Sequence, residues 1–212
     1  MALTLHGYAT SLCTWRVRTV FEEKGVEYEL ITVDLFNAEQ KSEAYVKSLH
    51  PFGRIHILIN NESGIQVFAI AQYISSKYRG HGINLSPPKS NLKAYAQYQQ
   101  ALSIELSYFD PAVNTIVYEN VFKSRRGRGS PDTSAIKSAI DQLDDALQSY
   151  ERLLSKQSYL AGDEISLADL FHLPYGTKAE PFGLGDLLGK YPAVSKWWNE
   201  LKARESWIKV DS

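Results

Sequence analysis

Hydrophobic and polar positions change period along this chain, and each change predicts an element. Leu3 and Leu5 alternate with Thr4 and His6, the two-residue period of a strand with one buried face. Gly7 opens a loop. From Cys13 the period lengthens, with Val17, Val20 and Phe21 at i, i+3 and i+4 on one helical face. Gly25 suits the left-handed position just past the end of that helix. YELITVD, Tyr28 to Asp34, predicts a second strand, and residues 39–48 a short polar helix. Ile55 to Ile59 and Ile65 to Phe68 predict two further strands, joined by the turn Asn60-Asn61-Glu62-Ser63-Gly64. A helix follows over Ala69 to Tyr78. The order βαβ, then a helix, then ββα is that of a small α/β unit covering residues 1–80.

RGHGINLSPPKS, residues 79–90, interrupts the pattern with two glycines and two prolines and predicts a linker. From residue 91 to 212 the period is helical almost throughout, so the second unit is all-α. Leu92, Tyr95, Gln99, Leu102 and Leu106 keep helix spacing toward Phe109-Asp110-Pro111, where the proline predicts a kink or a restart. Ile136, Ile140, Leu143, Leu147, Tyr150 and Leu154 alternate steps of four and three and share one face. Ser166-Leu-Ala-Asp169 reads as a capping box with Asp in the fourth place. Pro192 starts a last helix carrying Trp197, Trp198 and Leu201.

Composition narrows the function. A net charge of −1 gives no global electrostatic case for nucleic acid or a membrane surface. The single cysteine, Cys13, excludes an intrachain disulfide and fits a reducing compartment. No apolar run approaches the roughly 20 residues that span a bilayer, and MALTLHGYAT lacks the regions of a signal peptide. These features predict a soluble, cytoplasmic protein. Thirteen tyrosines within a 12% aromatic content suit an amphipathic small-molecule pocket. His6, His50, His56, His81 and His172 show no metal-ligand spacing. Lys123 to Pro131, KSRRGRGSP, is basic but short, and reads as a loop between helices.

An α/β unit followed by an all-α unit at this length resembles a glutathione transferase, most closely the phi class of plants and fungi. The resemblance is carried by GYATSLCTWRV (7–17), EEKGVEYELITVDL (22–35), EQKSEAYVKSLHPFG (39–53), AIAQYI (69–74), FDPAV (109–113), YLAGDEISLADL (159–170) and PAVSKWWNEL in the last helix. It implies a thioredoxin-like N-terminal domain, an all-helical C-terminal domain, glutathione as the cofactor, and a cytoplasmic homodimer. Ser11 matches the family's serine that donates a hydrogen bond to the sulfur of glutathione. The chemistry needs such a donor because a free thiol titrates near ~8.5 and its anion is the nucleophile. From local sequence alone, Ser11 reads first as a helix cap, and the family context turns that reading toward the sulfur. Cys13, two residues on, reads as a bystander.

The resemblance assigns further residues. Gln40 and Lys41 match positions that hold the glycine end of glutathione, and Arg54, Ile55 and His56 the stretch that pairs with its cysteine part. Phe52 matches an aromatic key inserted into the neighbouring subunit. An acceptor pocket between the two units would be lined by Tyr8, Leu12, Leu35, Phe36, Tyr108, Phe109 and Tyr118, with Phe122 beside them. The partners implied are glutathione and an apolar electrophile.

The stretch GRIHILINNESGIQVFAIAQYI, Gly53 to Ile74, departs from the family in two places. His56 stands where the family has a cis-proline. A cis bond before a non-proline residue costs roughly 2.5–4 kcal/mol, so a trans bond is expected. Phe68 runs directly into Ala69, where the family has Glu-Ser-Arg, the pair that binds the γ-glutamyl end. Three accounts stay open: the pair is gone, Glu62-Ser63 replaces it from a helix that starts earlier, or the natural chain carries three residues that this sequence lacks. The functional expectation is a glutathione-dependent enzyme. It would act by conjugation, or by glutathione-assisted cis–trans isomerisation of an activated alkene in a secondary-metabolite pathway. The alternative is a non-catalytic relative that binds or regulates.

Overall fold

The computed structural model describes residues 3–55, 57–59 and 67–212. The chain divides into two compact units: Met1–Asn84 together with Ser206–Ser212, and Leu85–Glu205. The sequence pattern places the last residues with the helices, whereas their contacts place them with the α/β unit.

In the first unit the order is β1 (Leu3–Gly7), α1 (Leu12–Lys24), β2 (Tyr28–Thr32), a 3-10 turn (Glu39–Lys41), α2 (Glu43–Ser48), β3 (Ile57–Ile59) and α3 (Val67–Lys77). The sheet runs β2-β1-β3, with β1 parallel to β2 and antiparallel to β3. This is the thioredoxin-like arrangement. β1 is central, and its burial alternates along the strand as its period predicts. α1 and α3 pack on one another. Leu5, Val17, Val20, Phe21, Leu58, Ile70 and Ile74 are fully buried, each side chain worth about 1.5–3 kcal/mol of burial, while Ile57, pointing to the other face of the sheet, packs with Val33 and Tyr45 in a separate cluster. Phe21 stacks on Tyr28 at 4.3 Å. Gly25 closes α1 at φ 57°, the left-handed conformation that glycine adopts without a Cβ clash.

Two local expectations change. Val67 and Phe68, predicted as the end of a fourth strand, open α3 instead. Ile65 and Gln66, the Ile55–His56 bond, and Glu62 and Ser63 lie outside the described residues in whole or in part. The polar helix over 39–48 is split at Ser42. That residue is extended (ψ 148°) and accepts a hydrogen bond from Tyr45 N at 3.2 Å, capping α2.

The second unit contains α4 (Leu92–Ile104), α5 (Asp110–Val117), α6 (Lys123–Arg125), α7 (Thr133–Leu154), α8 (Leu167–Leu170), α9 (Leu173–Ala179), α10 (Leu184–Leu188) and α11 (Pro192–Lys202). α12 (Glu205–Asp211) leads back to the first unit. Residues 92–125 run as one helical course through two π-turns, Glu105–Phe109 and Tyr118–Phe122. The first explains how Pro111 is accommodated. Asp110 N–H bonds back to Glu105 O, five residues earlier, and the widened turn takes up the register just where proline has no N–H to give. The stripe on α7 is inward: Leu143, Leu147, Tyr150 and Leu154 are buried. Among the described residues, no helix is long and apolar enough to cross a membrane.

Candidate active site

Ser11 is the N-cap of α1, extended at φ −76°, ψ 126°, and half-buried. Its N–H donates to Tyr8 O and its carbonyl accepts from Trp15 N, both at 2.9 Å. The side chain makes no cap bond to the helix. α1 carries no acidic residue in its first turn, so the positive end of its dipole is not locally neutralised by a carboxylate. Cys13, the second residue of α1, is half-buried and in no disulfide.

The loop before Ser11 is tied down by residues of α1 that pattern reading did not single out. Tyr8 N donates to Thr14 Oγ1 at 3.2 Å, and Trp15 Nε1 donates to Ala9 O at 2.7 Å. Thr14 also stands close to Gly7: a Cβ there would lie 3.0 Å from Thr14 Oγ1, a tight contact.

A second loop arrives from β2. Asp34 accepts hydrogen bonds from Phe36 N and Asn37 N at 3.0 Å and from Asn37 Nδ2 at 2.6 Å. The Asn37 backbone bond is the leading cause that lowers the Asp34 pKa from its ordinary value. Glu39 returns to accept from Asp34 N at 2.6 Å. This closed turn holds Ala38 at φ 54°, a conformation an alanine adopts only under constraint. The spacing of Asp34 and Asn37 is an Asx-turn signal that was present in the sequence.

The turn delivers Gln40 and Lys41 beside the chain at 52–55. Lys41 Nζ donates to Phe52 O at 3.1 Å, and Tyr45 Oη donates to Arg54 O at 3.1 Å. Burial, with a smaller push from Glu39, raises the Tyr45 pKa to about 12, which keeps its proton available for that bond at neutral pH. Gly53 is at φ 56°, and a Cβ there would lie 2.6 Å from Gln40 O. Gln40 and Lys41 therefore form one cradle with the main chain of Phe52 to Arg54, while Ile55, half-buried, packs on Val33, Tyr45 and Ile57. Within it Gln40 Oε1 is buried and has no hydrogen-bond partner. A buried polar atom left so costs about 1–3 kcal/mol, so the cradle suits a polar ligand end. A glutamine amide can turn either its oxygen or its NH2 toward that end. The residues fit glutathione on this count. His56 lies outside the described residues.

The aromatic residues separate into two kinds. Tyr8 and Phe36 meet edge to face at 5.8 Å, and Phe36 is 85% exposed. Tyr108 is also exposed, and Tyr118 is half-buried, near Arg128. Leu35 and Phe122 are half-buried. Leu12 and Phe109, by contrast, are buried. The Phe109 ring lies 4.3 Å from His172 and 6.4 Å from Tyr150, so it is a core residue of the second unit. His172 belongs to the same core: its Nδ1 meets Ala168 O at 2.7 Å and its Nε2 meets Tyr150 Oη at 3.0 Å. The carbonyl can only accept, so Nδ1 donates and Nε2 accepts from the tyrosine. Phe52 is 72% exposed. A cavity of about 560 Å³ in the second unit, lined by Lys156, Gln157, Tyr159, Lys196, Trp197 and Glu200 among others, contains none of the predicted site residues. Among the described residues, no group of three or more His, Cys, Asp or Glu side chains could hold a metal ion.

Residues 1–76 match the family model of the glutathione S-transferase N-terminal domain, and residues 106–205 that of the C-terminal domain. The chain is 42% identical over 204 residues to glutathione S-transferase PM239X14 of Arabidopsis thaliana, covering 93% of this chain and 90% of that protein. It is 41% identical over 213 residues to glutathione S-transferase hmp2 of Hypomyces subiculosus, covering 99% and 98%. The crystal structure of glutathione transferase F7 from Populus trichocarpa superimposes with a TM-score of 0.93 at 35% identity, covering 99% and 98%. Glutathione S-transferase I of maize, solved in complex with an atrazine glutathione conjugate, superimposes with a TM-score of 0.90 at 28% identity, covering 99% and 96%. With both domain models matched in order and nearly the whole chain shared with these proteins, the chain belongs to the glutathione S-transferase family and is phi-class-like.

Proposed function

We propose that Ser11 activates glutathione for transfer to an apolar electrophile. The observation that carries this reading is the placing of a hydroxyl at the N-cap of the 13-residue α1, whose first turn holds no acid. Glutathione, when bound, supplies a thiol that reacts as its anion. Ser11 donates its hydroxyl proton toward the sulfur, and the α1 N-terminus adds positive potential. Lowering a thiol pKa by about two units corresponds to roughly 2.7 kcal/mol of preference for the anion. Gln40 and Lys41 hold the glycine carboxylate, Lys41 keeping ammonium N–H donors beyond the one given to Phe52 O. The main chain at Arg54 and Ile55, fixed by Tyr45, lies along the cysteine part. Tyr8 and exposed Phe36 offer an apolar surface to the electrophile directly beside the Ser11 turn. Exposed Phe52 is the anchor of a homodimer.

The test is Ser11→Ala assayed with glutathione and a model aryl halide. We expect kcat/KM to fall about 10²-fold, the scale of removing one donor from a developing anion; unchanged turnover removes the assignment. Glutathione consumption per product separates conjugation, which uses one per turnover, from alkene isomerisation, which uses none net. A non-catalytic relative with an incomplete γ-glutamyl site is set apart by binding. Ligand at about 100 times its Kd stabilises the fold by about 2.7 kcal/mol, and no thermal shift with glutathione would favour that reading.

A further inference from the structure

We propose that Trp207, on the C-terminal helix α12, is a positioning residue for Ser11, acting through Trp15 on the loop that carries the hydroxyl. The inference rests on the reading of Ser11 as the thiol-activating group.

The geometry forms a chain of three contacts inside the first unit. Trp207 and Trp15 are 2% and 8% exposed, and their rings meet edge to face at 5.9 Å with an interplanar angle of 73°. Trp15 Nε1 donates to Ala9 O at 2.7 Å. Ala9 lies in the turn that Ser11 N closes on Tyr8 O. The second donor on Ala9 O, Arg18 Nη1, is longer at 3.4 Å, while Arg18 Nε is engaged by Tyr28 Oη at 3.1 Å. Of these two donors on Ala9 O, the indole N–H makes the shorter bond.

An indole moves as a lever about Cβ. A small change in ring tilt moves Nε1 far more than the ring's inner edge. Trp207 fills the space into which Trp15 would otherwise tilt, and a buried ring removed leaves a cavity that its surroundings close only in part. α12 is itself clipped to α1 further along, by Ser206 Oγ donating to Glu23 Oε1 at 2.6 Å and by Lys209 Nζ near Glu22 Oε2 at 3.4 Å. Residues from the far end of the chain thus hold the helix on which Ser11 is mounted. Hydrogen bonds to a sulfur anion require placement to within about 0.5 Å, so a tilt of this size is felt at the sulfur.

The experiment compares full-length Trp207→Ala, Trp207→Phe, Trp15→Phe and Ser11→Ala with the wild type. The readout is the pH titration of the glutathione thiolate bound to each, followed by its ultraviolet absorbance, together with the pH profile of kcat/KM. Trp207→Ala should raise the bound-thiol pKa by about half a unit toward the free value of ~8.5 and, through the smaller thiolate fraction, lower kcat/KM at acidic pH about threefold. Trp207→Phe, which keeps a ring against Trp15, should restore most of both. Trp15→Phe removes the N–H donor to Ala9 O while keeping an aromatic ring on the Trp207 side, and should shift the pKa in the same direction; it decides the matter should Trp207→Ala not fold. A Trp207→Ala protein that melts earlier but titrates as the wild type shows packing alone and overturns the inference, as does Trp15→Phe with an unshifted pKa. If Ser11→Ala shifts the pKa and the tryptophan variants do not, only this inference falls. If Ser11→Ala leaves the pKa unmoved, the reading of Ser11 falls and takes this one with it.

Discussion

Asp169 carries more than the cap implied by its spacing from Ser166. Its carboxylate accepts from Ser166 N, Ser166 Oγ and Leu160 N at 2.9 Å and from Trp197 Nε1 at 3.0 Å, with the residue fully buried. Burial raises its pKa, against the pull of those four donors. As a cap alone, its loss would cost about 0.5–2 kcal/mol. As the shared acceptor of four buried donors, Asp169→Ala should cost about 3 kcal/mol or more, because each donor left alone keeps its own desolvation penalty. Urea unfolding measures this, and a loss below 2 kcal/mol would return Asp169 to the role of a cap. The Ser166 half was legible because its partner is three residues away. Leu160 and Trp197, nine and 28 residues off, were not. The same holds around Ser11: the serine itself is a local signal, whereas Trp15 reads as one more apolar position on α1 until its N–H is seen on Ala9 O.

At the scale of elements, α7 shows how an end is set. Asp132 caps it, accepting from Ser134 N and Ala135 N at 3.0 Å. Its own N–H donates to Glu119 Oε2 at 2.6 Å, and Glu119 is paired with Lys123 at 2.7 Å. The bond from Ala135 leads in lowering the Asp132 pKa from its ordinary 3.8. A carboxyl depressed in the folded state stabilises it above the unfolded pKa and loses that contribution as pH falls through the folded value. Asp132→Ala should therefore lower the melting midpoint by about 2–4 °C at pH 7. The gap from wild type should narrow below pH 3.8. Circular-dichroism melts across that range test it, and a gap independent of pH would mean the aspartate acts without its charge. The α7 stripe was readable because four-and-three steps have one structural meaning. The course of 92–125 was not. Proline in a helix ordinarily marks a break, and only the hydrogen bond from Asp110 N to Glu105 O shows how it is absorbed.

At the scale of the whole molecule, the proposed homodimer gives a direct measurement. Phe52 projects from a loop whose carbonyl is held by Lys41 and whose next residue, Gly53, is pressed against Gln40, so an exposed ring stands on a rigid base. Wild type should sediment at about twice 23.9 kDa, and Phe52→Asp at 23.9 kDa. A wild-type monomer at micromolar concentration, or a variant that still pairs, would remove the assignment. Because that loop also borders the cradle of Gln40 and Lys41, a loss of pairing should be accompanied by weaker glutathione binding.

The sequence by itself determined the α/β unit followed by helices, the family, and the residue types at the cradle and at the mouth of α1. The elements follow from periods and turn residues, whose physics acts over a few positions, and the family and its site residues from the resemblance carried by the short motifs. Tertiary structure decided the rest: that Phe109 packs in the core of the second unit, that Pro111 leaves the helix running, that Gln40 holds an orphaned amide oxygen, and that Ser206 to Ser212 return to the first unit. Each of these depends on which distant side chain fills a space or meets a polar atom. Burial and hydrogen bonding are properties of neighbours in space, and chain order does not record them.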